Sequence, residues 1–247
     1  MKTISIQYYF TLADGSREFF DLCLDAKNLE LLIDAPDNLP AWTQLAFHQC
    51  PNCPLTPETH PYCPVAANIV SIVKRFDRLL SYEELHVVVV TEERVVSQDT
   101  TAQKGLSSLM GLVIANSACP HTAFFRPMAR FHLPLASIEE TICRAASMYL
   151  LSQYFLKQEG QDADLELNGL KKIYDEIHTV NIAIAGRLRA SSNTDLSANA
   201  VILLDLYAMA FPFAIEKTLK NIRNLFRPFL IGNEDYANRT TSALSNR

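Results

Sequence analysis

Glycine is scarce in this chain. Seven occur in 247 residues, less than half of ordinary usage. Neither a Gly-x-Gly-x-x-Gly run nor a Walker-type loop can be written from them, so phosphate cradles of those kinds are excluded. The scarcity also favours helix, where each interior glycine costs about 1 kcal/mol relative to alanine. Basic clusters are missing too. The 22 Lys and Arg stand against 27 acidic residues, a net charge of −5, and are scattered. A nucleic-acid surface needs them gathered, so no nucleic-acid partner is expected. The N-terminus, Met-Lys-Thr-Ile-Ser-Ile-Gln-Tyr, alternates and lacks a secretory apolar core. The best candidate for a membrane span, Leu196 to Ile215, is interrupted by Asn199, Asp205 and Pro212. The expectation is a cytoplasmic protein without a span, with homo-oligomerisation left open.

What the chain does hold is 49% apolar residues, enough for a sizeable core. Residues 2–24 read as a β-hairpin. Ile4, Ile6, Tyr8, Phe10 and Leu12 alternate with polar neighbours, Asp14-Gly15 supplies the turn, and Phe20, Leu22 and Leu24 resume the apolar face. Residues 33–64 carry seven prolines and form a long irregular loop, a kind of segment that needs something to hold it. Pro64 suits the first position of a helix over 65–80. The valine runs at 87–90 and 95–96 read as one or two strands that can join the hairpin in a small sheet. Asp99 or Thr100 can cap a helix over 101–116. Ser137 with Glu140 forms a capping box for a helix over 138–158, followed by helices over 164–190 and 197–226, the last kinked near Pro212.

The expected fold class is α+β, mostly α: a helical bundle with a small N-terminal antiparallel β element and an irregular Cys/Pro-rich loop. By segment this gives a hairpin over 1–32, the loop over 33–64, a helical domain over 65–230 with a short strand segment near 84–96, and a tail over 231–247. Together they act as one cooperative unit.

Four of the six cysteines precede proline: Cys50, Cys53, Cys63 and Cys119, three of them within fourteen residues. In a reducing compartment such a set points to a metal centre more than to disulfides. Cys-x-x-Cys can chelate one ion, and four thiolates complete a tetrahedral zinc site or hold an iron–sulfur cluster. Pro54 cannot adopt the positive φ of a zinc-ribbon knuckle, so the site is not an ordinary ribbon. His60, His121 and His48 lie within three residues of a cluster cysteine and are alternate ligands. Arg126 and Arg130, four apart and followed by His132, could hold an anion beside the metal. The functional expectation is a four-cysteine metal protein, zinc slightly ahead of iron–sulfur, with a structural or sensory role. The alternatives are a metal-free helical scaffold, in which the cysteines pack as small hydrophobes, and a metalloenzyme acting on a small anionic substrate.

Overall fold

The alternation of β1 (Thr3–Leu12) and β2 (Arg17–Asp25) builds a hairpin whose Ile6, Tyr8, Phe10, Phe20 and Leu22 point to one side and are buried. Gly15 takes the left-handed φ of +81° that the turn requires. The computed structural model describes residues 2–32, 38–191 and 195–231. The tail expected from 231 onward therefore lies outside them, apart from Ile231, as do residues 33–37 of the proline-rich segment.

The hairpin is half of a larger sheet. Strands β3 (Glu84–Val90) and β4 (Val95–Thr101) complete an antiparallel sheet in the order β2-β1-β3-β4. Tyr8 is flanked by Phe20 on one side and Val89 on the other. The bundle with a small N-terminal β element is thus corrected: the sheet is a full structural layer against which the helices pack. Polarity hid β4. Its sequence, Val-Val-Ser-Gln-Asp-Thr-Thr, runs along an edge and stays mostly out of the core. Asp99 pairs across the strands with His86, 2.6 Å from its Nδ1. The cap is Thr101, whose hydroxyl accepts from Lys104 N at the start of α2 (Ala102–Ala115).

Helix α1 (Pro64–Phe76) lays Val65, Ile69, Ile72 and Phe76 on the sheet, and Phe76 packs edge-on to Phe10. Helix α2 approaches the same face closely. A Cβ on Gly105 would lie 3.1 Å from Val87, 3.2 Å from Leu85 and 3.3 Å from Phe10. The short α3 (Arg126–Arg130) leads to α4 (Ile138–Gln158), whose start is fixed by the Ser137–Glu140 capping box. Two long helices follow, α5 (Asn168–Ser191) and α6 (Leu196–Ile222), and then α7 (Arg227–Ile231).

Two core clusters result. The larger joins the sheet, α1 and α2 to Val180–Leu188 of α5 and Leu196–Val201 of α6. The smaller joins α4 to the other ends of α5 and α6, around Tyr174 and Phe211. The stretch Leu196–Ile231 is long and apolar enough to cross a membrane by length and composition. Two of its polar side chains nevertheless find protein partners. Asp205 lies 2.8 Å from His178 Nδ1, and Asn199 donates to Ser81 and Asp195.

The proline-rich loop is held by an arginine. Arg187 of α5 is 1% exposed and donates to the carbonyls of Trp42 (2.9 Å), Gln44 (2.6 Å) and Leu45 (2.8 Å). A guanidinium offers five N–H donors in a fixed fork, and three loop carbonyls converge on it. Leu45 N to Pro61 O and Cys63 N to Thr43 O close the loop against α1.

Candidate functional site

The cysteines predicted as ligands sit in the large core. Cys63 caps α1, Cys119 follows α2, and Cys50 and Cys53 border a turn closed by Cys53 N to Cys50 O at 3.0 Å. Cys63 and Cys119 are buried, while Cys50 and Cys53 pack partly buried against the same cluster. Burial pushes the Cys50 thiol up to about 12, and the like charges of Cys63, Cys53 and Cys119 act in the same direction. Burial raises Cys119 as well. Among the described residues, no group of three or more His, Cys, Asp or Glu side chains is placed to hold a metal ion. The reading as a four-cysteine metal protein is therefore corrected. The hold expected from the metal comes from Arg187.

The histidines and arginines have other partners. His60 is exposed beside Thr59 Oγ1 at 2.9 Å, and His48 is exposed with its ring against Phe47. His121 Nε2 lies 2.8 Å from Asn52 O. Arg126 lies 3.3 Å from Glu30 and Arg130 lies 3.3 Å from Glu93, so each guanidinium faces a separate carboxylate.

The feature that stands out is a cavity of about 350 Å³ between the two core clusters. That is within the size range of small-molecule sites. Helix α2 supplies one wall (Ser107, Gly111, Leu112) and α5 and α6 another (Ile177, Leu204, Ala208); β4 (Gln98, Thr100), the segment before α3 (Thr122, Phe125), α3, α4 and the segment between these two helices complete it. The lining is mostly apolar, with polar groups at set points. Asn181 and Tyr174 both line it and are only 4% and 5% exposed. Neither side chain has a hydrogen-bond partner among the described residues, and neither has a polar atom sealed away from the cavity. Tyr174 is fixed by stacking on Phe211 with ring centres 3.7 Å apart. Burial pushes its phenol well above the usual range.

Arg144 enters the lining from α4. Its Nη2 donates to Met128 O (2.8 Å) and Phe131 O (3.0 Å). Since a guanidinium carries five N–H donors, Nη1 and Nε are left without a partner among the described residues. Desolvation lowers its pKa. Below the cavity, the Tyr8 hydroxyl lies 2.9 Å from Ser108 Oγ and 2.6 Å from His132 Nε2, and Ser108 Oγ accepts from Leu135 N. This chain of bonds ties the 132–135 segment of the wall to the central strand. Burial, with the positive charge of Arg144, pulls His132 down to about 3, so it is a neutral imidazole.

The sequence spacing held a signal for this site. Leu170, Tyr174, Ile177, Asn181, Ile184 and Leu188 recur at three and four residues, a single buried stripe of α5. An asparagine on such a stripe needs a partner, and among the described residues Asn181 has none.

The chain belongs to the family described as Domain of unknown function (DUF6901), whose model matches residues 6–227. Neither the comparison with curated proteins nor that with solved structures finds a match.

Proposed function

We propose that this protein binds a small, largely apolar molecule in the cavity between the sheet layer and the helical layer. One observation carries the reading: Asn181 and Tyr174 are almost fully buried, line the cavity and make no hydrogen bond to the described protein. Their polar atoms reach the cavity instead of a protein partner, so a molecule held there can hydrogen-bond to both. Apolar walls with a few convergent polar groups are the usual make-up of a small-molecule site.

The test uses N-phenyl-1-naphthylamine, a neutral apolar fluorophore. Saturable one-to-one enhancement is expected with the native chain. Leu204→Trp, which places an indole in the cavity, should abolish it while the melting transition stays cooperative. Undiminished binding by this folded variant would contradict the proposal.

A further inference from the structure

Charge is unevenly divided in this molecule. The chain carries 27 acidic residues against 22 Lys and Arg. Yet no Asp or Glu lines the cavity, while Arg144 and Lys104 do. Neither cation is in an ion pair among the described residues. The acid nearest in sequence to Arg144, Glu140, has its carboxylate on Ser137 N at 2.8 Å as part of the capping box. Arg144 is anchored at Nη2 by two carbonyls, so Nη1 and Nε are presented in a fixed orientation. Beside it, Tyr174 offers an unpartnered hydroxyl, and His132 is a neutral ring rather than a competing cation. A guanidinium in an apolar cavity is stabilised by an anion, and its planar fork matches a carboxylate in particular.

We infer that the ligand is an amphipathic monocarboxylate, its acid group on Arg144 with Tyr174 donating to it and its apolar body along Leu112, Ile177 and Leu204. This rests on the cavity being a binding site. It goes further in fixing the charge and chemical class of what enters.

The test compares three compounds of one chain length that differ in head group: decanoate, 1-decanol and decylamine, by calorimetric titration at neutral pH. Decanoate is expected to bind at least tenfold more tightly than decanol, with decylamine weakest. Arg144→Met should remove that preference and leave decanol within about twofold of the native value. Because Arg144 also holds two carbonyls, Tyr174→Phe and Arg144→Lys are measured beside it. Tyr174→Phe deletes only a hydroxyl and should weaken decanoate several-fold. Arg144→Lys keeps the charge and should retain part of the preference. Decanol binding as tightly as decanoate to the native chain would overturn the inference while leaving the cavity a binding site. If none of the three binds and N-phenyl-1-naphthylamine also fails, the underlying reading falls with it.

Discussion

The sheet layer and the helical layer solve the burial problem differently. On the sheet side, Phe10, Leu106, Val87 and Leu109 are at most 1% exposed and form a dry core. On the helical side, α4, α5 and α6 enclose a smaller cluster, and large apolar side chains such as Phe213 and Tyr154 remain exposed. The cavity opens where the two meet. Close packing rewards stability, and a region that must admit a ligand forgoes some of it. The sheet half is the densely packed support, and the helical half supplies Arg144, Tyr174 and Asn181 to the cavity.

The largest expected effect concerns the arginine that joins the loop to α5. Arg187→Leu should cost about 3–5 kcal/mol in urea unfolding, because three loop carbonyls lose their donor together. A cost below about 1 kcal/mol would mean that the loop is held by something else. Next comes a matched pair of truncations. Leu106→Ala, in the dry core, should cost about 3 kcal/mol, whereas Leu204→Ala, on the cavity wall, should cost under about 1 kcal/mol, since it faces space already empty. Equal costs would erase the distinction between the layers. Gly105→Ala should destabilise by about 1–2 kcal/mol, crowding against Val87, Leu85 and Phe10 outweighing the gain in helix propensity.

A separate effect is one of pH. The folded value of His132, about 3, lies below the 6.5 of a free imidazole, so the unfolded chain takes up the proton first as pH falls. The stability tied to this residue is complete above pH 6.5. It is lost through the window from 6.5 down to 3, by at most about 1.4 kcal/mol per pH unit. His132→Gln should flatten that slope in urea unfolding followed from pH 7 to pH 4. A slope equal to that of the native chain would show that the imidazole is not held neutral.

Much of the fold could be read from the chain because periodicity reports burial. The alternation from Ile4 to Leu12 and from Phe20 to Leu24, the Asp14-Gly15 turn and the Ser137–Glu140 box are local signals, and each marks the element it predicts. The start of β4 was legible in Val95-Val96, but its continuation was not, because an edge need not be apolar: Asp99 and Thr100 suit a cap as well as a strand. The cysteines teach a related lesson. Four Cys-Pro pairs look like a ligand set in one dimension, whereas their packing against the large core is a property of three. Arg187, Arg144, Asn181 and Tyr174 matter through partners that they have or lack across the fold, and spacing along a helix indicates only that such residues need an explanation.

The most direct measurement is a methyl NMR titration of the native chain with decanoate. Binding in the cavity predicts saturable shifts at Met128, Leu112 and Leu204, with Leu106, Leu109 and Val87 of the dry core unmoved. Shifts confined to the exposed apolar residues of α6 and α7, such as Leu206, Met209 and Leu230, with the cavity methyls silent, would contradict it.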